Sequence, residues 1–206
     1  MSRTAEILIC TVAGILALPF WGLACLIVFL TLGRPLFFAQ MRAGQHGIPF
    51  RLCKLRTMSD ACDASGNLLP DTERQTRATA ILRRLRLDEI PQLFLILRGR
   101  MALVGPRPLL PETVKGFGRA GELRGMVRPG LTGWSQVSGN TTLSNEEKLH
   151  LDLWYVAHRS TPFDLQILWE TLGVAAFGER RREDRLAMAA QWLSAERATS
   201  FMEGSK

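Results

Sequence analysis

At 206 residues the chain is long enough for one domain with a real core, and a net charge of +7 with a pI near 9.9 points to an anionic partner. Tyr155 is the only tyrosine, too little aromatic interleaving for single-stranded nucleic acid, so no nucleic-acid partner is expected. Cysteines at 10, 25, 53 and 62 lack CxxC spacing, and His46, His150 and His158 form no ligand pattern, which argues against a disulfide framework or a zinc site.

From Ile7 to Leu32 the chain carries no charge. A straight helix over those residues would be about 39 Å long, more than the roughly 30 Å a bilayer core requires. A cleaved signal peptide fits poorly, because the stretch is long and no small-residue cleavage site follows it. Pro19 lies almost at its centre and would kink or break a helix. Two arms of about a dozen residues, each roughly 18 to 20 Å, could then enter and leave by one membrane face. Arg3 before the segment and Arg34, Arg42, Arg51, Lys54 and Arg56 behind it pull both ends to the cytoplasm. On these grounds a kinked spanning helix and a re-entrant hairpin both remain open.

Residues 33 to 58 are punctuated by Gly33, Pro35, Gly44, Gly47 and Pro49, and the segment PFRLCKLRTM reads as a strand. Residues 59 to 72 are polar and turn-rich, a surface loop. A basic amphipathic helix starts near Thr76, with apolar Ala80, Ile81, Leu82, Leu85 and Leu87 set against Arg77, Arg83, Arg84 and Arg86. Such a helix lies at a membrane interface, although a surface helix with a solvated arginine face has the same pattern. Pro91 opens a second short apolar helix that ends at Arg98 and Arg100. Gly105-Pro106-Arg107-Pro108 forces a rigid extended turn. Residues 109 to 127 read as helix interrupted around Gly116, Gly118 and Gly121, and 128 to 140 as turn, short strand, turn. A helix over 144–159 begins with a capping box, Ser144 and Glu147. Further helices are expected over 163–177 and 182–197.

Asp88-Glu89 interrupts an arginine-rich apolar stretch at the junction of two helices. A carboxylate pair can hold Mg²⁺ through hard oxygen ligands, and either carboxylate can act as nucleophile or base. A capping Asp with a solvated Glu beside it is the simpler reading of the dipeptide alone. Arg107 between two prolines presents its guanidinium in a fixed geometry suited to bidentate phosphate binding. Lys54 and Arg56 form another anion-binding candidate, though a patch facing lipid headgroups would look the same. Walker A and GxGxxG patterns are absent.

Six segments in order carry a resemblance: KLRTM (54–58), RLRLDEIPQLF (84–94), LVGPRPLLPE (103–112), RPGLTGWSQVSG (128–139), LDLWYV (151–156) and DLQIL (164–168). With the apolar amino terminus they make the chain similar to the bacterial monotopic phosphoglycosyl transferases, which begin glycan chains on polyprenol phosphate. The resemblance implies an α+β, mostly helical fold with short strands: a re-entrant helix-break-helix over 1–34 with its break at Pro19, a catalytic domain over 35–178 with interfacial amphipathic helices, and a charged, helical tail over 179–206. It implies that Asp88 attacks the sugar-bearing phosphate of a UDP-sugar, releases UMP, and passes the phosphosugar to polyprenol (undecaprenyl) phosphate. Asp88 and Glu89 would bind Mg²⁺, with Lys54 and Arg107 as phosphate contacts; Arg56, beside Lys54, and Arg128 are further phosphate-binding candidates. The setting would be the cytosolic face of the bacterial inner membrane, with membrane lipids as partners, and the chain would be the minimal catalytic form.

One departure stands out. Many relatives carry Gly-Arg-Asn where this chain has Gly139, Asn140 and Thr141, so Asn140 cannot supply that positive charge, and Arg128 is a candidate substitute. The main rival reading is a membrane-anchored basic scaffold without catalysis. Nothing in the sequence selects the sugar, the glycan pathway or the oligomeric state.

Overall fold

The chain begins with a single long helix, α1 (Arg3–Leu32), in the computed structural model, which describes residues 1–203, with side chains through residue 195. The expected break at Pro19 does not interrupt it: helix continues on both sides of the proline. Proline removes one hydrogen bond to the carbonyl four residues back, that of Ile15, and local adjustment in a helix tolerates this. Burial follows a narrow stripe. Glu6, Cys10, Ala24 and Val28 are buried, while Leu8, Ile15, Leu16, Phe20, Leu23 and Leu30 are more than half exposed. Water disfavours so much apolar surface and lipid does not. Largely exposed along its length, α1 is long and apolar enough to cross a membrane by length and composition.

Two compact units follow from the contacts within the chain. One comprises Thr4–Met41 and Arg51–Gly99; the other comprises Met1–Arg3, Arg42–Phe50 and Arg100 onward. The strands β1 (Phe37–Ala43) and β2 (Pro49–Leu55) pair in a two-stranded sheet, where the sequence predicted extended chain, and their residues are divided between the units.

In the first unit, Ala24 and Val28 of α1 pack with Leu55 of β2 and Leu82 of α2 (Arg77–Arg84), joined by Leu36 and Leu87. Helix α2 starts where predicted: the Thr76 side chain caps the Thr79 N–H, and the Thr79 hydroxyl accepts from the Thr76 N–H in return. A 3₁₀ turn (Leu87–Glu89) leads through Pro91 into α3 (Gln92–Leu97). Both helices expose large apolar side chains, Ile81, Leu85 and Phe94, and the Arg98 guanidinium lies 4.2 Å over the Phe94 ring.

In the second unit, β3 (Ala102–Val104) and β4 (Gly130–Thr132) form a parallel pair in the register Ala102–Gly130 and Val104–Thr132. Between them lie α4 (Pro111–Gly116) and α5 (Arg119–Arg124), interrupted at Gly118 as the glycines predicted. After β4 come α6 (Trp134–Val137), a 3₁₀ turn over Asn140–Thr142, α7 (Asn145–His158), α8 (Thr161–Phe177) and α9 (Glu183–Glu203). The Ser144–Glu147 capping box opens α7. Trp134 stacks on Trp154 with the Phe163 ring edge-on to it, while Tyr155 donates to Asp164 at 2.7 Å, whose second oxygen takes the Met1 ammonium at 2.6 Å.

The expected charged tail is tied into this unit. Arg185 of α9 is buried, pairs with both Glu170 oxygens at 2.7 and 2.9 Å, and lies 3.9 Å over the Trp134 ring. Residues 204–206 of that tail lie outside the described residues.

Candidate active site

The dyad sits just after a left-handed turn in the first unit. Arg86, just before it, takes a left-handed backbone conformation, φ 58° and ψ 21°. A side chain other than glycine pays of order 1–3 kcal/mol for such a conformation, which persists where the surroundings demand it and clusters at functional sites. The turn reverses the chain from α2 into the Leu87–Glu89 turn and tucks both carboxylates inward, with Asp88 5% and Glu89 9% exposed. Leu87 packs on the Ala24–Val28–Leu55–Leu82 cluster, so the dyad is seated on the core that holds α1. This rules out the simpler reading of a capping Asp beside a solvated Glu.

Burial is the first cause that pushes Asp88 up to about 6, and the neighbouring Glu89 charge adds to it; Lys54 and Arg83 pull the other way. Near neutral pH, Asp88 is therefore mostly an ionised but poorly solvated carboxylate, the state in which it is a competent nucleophile. Glu89 receives the Arg86 guanidinium at 3.3 Å. Two adjacent carboxylates make a hard-oxygen donor set of the size Mg²⁺ uses when substrate phosphates complete its shell, so these residues fit that ion. Among the described residues, no group of three or more His, Cys, Asp and Glu could hold a metal by itself.

The sequence candidates separate into two groups. Lys54, on β2, lies 5.6 Å from the Phe38 ring centroid, and its charge is felt at Asp88. Arg56, two residues on, is engaged at the end of α1: its Nη2 donates to the carbonyls of Leu32 and Gly33, and it lies 3.6 Å from Asp60. It acts as a side-chain cap on the helix carboxyl end, where a cation also complements the dipole. Arg107 and Arg128 belong to the other unit, where Arg128 donates to the Met101 carbonyl at 3.1 Å.

Arg83 was missed. In sequence it is one of several arginines on a helix face, yet Nη1 is buried without a hydrogen-bond partner and its charge reaches Asp88. Asn140 is also explained. Its backbone has φ 39°, its amide donates to Glu179 at 2.6 Å, and Thr141 donates to the same carboxylate through its N–H at 3.1 Å and through its hydroxyl. Position 140 is thus joined to the start of the tail.

A family model described as bacterial sugar transferase matches residues 1–178. The chain belongs to that family. Among the sugar transferases it resembles, a Bacillus subtilis (strain 168) protein named "Uncharacterized sugar transferase EpsL" is 47% identical over 146 residues, 71% of this chain and 72% of that one. The "Exopolysaccharide production protein ExoY" of Sinorhizobium fredii is 33% identical over 187 residues, covering 82% and 83%. The "UDP-glucose:undecaprenyl-phosphate glucose-1-phosphate transferase" of Escherichia coli K12 is 32% identical across 84% of this chain, which spans 39% of that longer protein. The dyad and its cations are therefore the candidate active site of a sugar transferase.

Proposed function

We propose that the chain transfers a sugar 1-phosphate from a UDP-sugar to undecaprenyl phosphate, releasing UMP, as the first membrane step in building a glycoconjugate. The observation that carries this reading is the buried Asp88 carboxylate, raised to about 6, facing the charges of Lys54 and Arg83. The names of several relatives supply the two substrates.

In the first half-reaction an Asp88 oxygen bonds to the phosphorus that carries the sugar. The bond from that phosphorus to the bridging oxygen breaks, and UMP leaves with the electron pair. In the second, an oxygen of undecaprenyl phosphate attacks the same phosphorus, the Asp88 oxygen–phosphorus bond breaks, and the carboxylate is restored. Repulsion between an anionic nucleophile and an anionic phosphate is the main barrier, and Lys54 and Arg83 lower it. Bound at Asp88 and Glu89, Mg²⁺ would supply further neutralisation of the phosphate oxygens. Burial keeps water from competing for the phosphosugar.

The lipid acceptor requires a site at the membrane. The exposed apolar surface of α1 and the apolar-and-arginine faces of α2 and α3 fit the cytosolic face of the inner membrane, where α1, continuous in this structure, would have to bend at Pro19 to bring both its ends to one side. Labelling of a cysteine at position 2 only from the cytosol supports that topology, and labelling from the periplasm overturns it. The reaction itself is tested by UMP release across a panel of UDP-sugars with Mg²⁺ and undecaprenyl phosphate. Mass spectrometry of Asp88 after one turnover without lipid tests the covalent step. If Asp88 stays unmodified while UMP is still released once lipid is added, the lipid phosphate attacks directly. If no UMP appears with any donor, the scaffold reading wins.

A further inference from the structure

Helix α8 turns large apolar side chains outward. Leu165, Trp169 and Leu172, spaced four and three apart on one side of it, are all more than half exposed, and Phe177 at its end is 80% exposed. Trp169 alone is 76% exposed. With Val137, Leu172 and Val174, these two aromatic side chains line an open groove of about 790 Å³, a volume in the range of small-ligand sites.

The segment after α8 forms the rest of the groove, and it is held in place. Glu179 accepts from the Asn140 amide at 2.6 Å and from the Thr141 N–H at 3.1 Å. Arg181 donates to the Thr142 carbonyl at 3.1 Å, and the Arg182 N–H donates to the Ser138 carbonyl at 3.0 Å. The other arginines of this stretch are matched by carboxylates. Arg181 pairs with Glu147 and Glu183, Arg182 pairs with Asp184, and Glu170, the acid in the groove lining, pairs with the buried Arg185. Arg180 is the exception. It lines the groove, is exposed, and has no hydrogen bond or ion pair among the described residues. It also lies beyond residues 1–178, which the family model matches, and after the last of the six motifs.

A fixed cation beside an exposed tryptophan and phenylalanine suits a molecule with an anionic head and an apolar tail. Water disfavours apolar surface of this kind, and an anionic bilayer supplies both parts. We propose that this groove binds an anionic phospholipid, with the phosphate at Arg180 and an acyl chain against Trp169 and Phe177. The site rests on the membrane setting proposed above and not on the transfer reaction.

Brominated phospholipid quenches tryptophan fluorescence on contact, and the share due to one tryptophan is the difference between wild type and its Phe variant. The full chain is reconstituted in phosphatidylcholine nanodiscs that hold a minor fraction of brominated phosphatidylglycerol or brominated phosphatidylcholine. The Trp169 share, read from Trp169→Phe, is expected to be about fivefold larger with phosphatidylglycerol, the effect of one basic residue at an anionic surface. Arg180→Gln should make the two lipids equal, and Arg180→Lys should keep most of the preference. Arg77→Gln, on α2, should leave it unchanged. Trp169 and Arg180 are both exposed, so these substitutions leave the core untouched. Equal quenching of Trp169 by the two lipids in wild type, or a preference that survives Arg180→Gln, overturns the site. Trp21 of α1, read from Trp21→Phe, reports the membrane setting separately. Quenching of Trp21 without Trp169 defeats the groove alone, and quenching of neither defeats both. Undecaprenyl phosphate equimolar with the protein should leave the Trp169 quenching as it was; relief of that quenching would give the groove to the acceptor lipid and overturn the phospholipid.

Discussion

Asp88→Asn should make the folded protein more stable at neutral pH while abolishing sugar-phosphate transfer. Asp88 is 5% exposed, and burial holds its pKa at about 6 rather than 3.8. Each unit of that difference is worth about 1.4 kcal/mol, so the ionised side chain costs the folded state up to about 3 kcal/mol. The sign follows from proton binding. Between pH 3.8 and about 6 the folded chain keeps a proton that the unfolded chain has lost, so wild-type stability falls as pH rises through that window and is level above it. Asparagine has nearly the same shape and no charge. Its advantage is therefore absent near pH 4, grows to about pH 6, and is constant at pH 8. Denaturant unfolding in a mild detergent, repeated across that range, measures the difference directly. A variant less stable than wild type at pH 8, or an advantage that does not change with pH, would refute the reasoning. The test also separates this carboxylate from a structural ion-pair partner, which would lose stability on the same substitution.

Lys54→Met removes a charge that lowers the Asp88 pKa, so the acid limb of the kcat/KM profile should move to higher pH, seen as UMP release against pH. In Gly130→Ala the new Cβ would lie 2.1 Å from the Gly105 nitrogen and 2.3 Å from the Thr132 oxygen. Because backbone stands on both sides, a loss of about 3 kcal/mol or more is expected, measured as a lowered unfolding midpoint. Asp152→Asn leaves the Arg124 guanidinium buried without its counter-charge and should cost about 3 to 5 kcal/mol by the same measurement.

Local chemistry made much of the fold readable. The Ser144–Glu147 capping box, the glycine interruption before Arg119 and the Pro91 helix start all act within a few residues, and each appears where expected. Strand β3 did not announce itself, because Ala102–Val104 continues an apolar run and becomes a strand only by pairing with Gly130–Thr132, distant in sequence. The same limit applies to the site. Asp88-Glu89 was visible as an acidic pair between basic helices, but its burial depends on the left-handed Arg86 turn and on Leu87 packing under it. Arg83 looked like its neighbours Arg77 and Arg84, since nothing in the pattern tells which arginine of a face turns inward. That Arg56 donates to the carbonyl end of α1 was not legible, because cation spacing says nothing of a helix end distant in sequence. Glu179 drew no reading at all, although it accounts for Asn140.

The cluster that joins Ala24 and Val28 of α1 to Leu55 and Leu87 has a mechanical meaning. Leu55 is the neighbour of Lys54, and Leu87 is the neighbour of Asp88, so the residues that brace the apolar helix are one peptide bond from the buried carboxylate and the ammonium whose charge it feels. An apolar helix in a thinner or thicker bilayer answers the mismatch by tilting. A tilt of α1 in a membrane would act through these packed side chains on the segments that carry Lys54 and Asp88. Turnover should therefore vary with the acyl-chain length of the lipid into which the protein is reconstituted, and a flat response would show that the brace gives way before the site does.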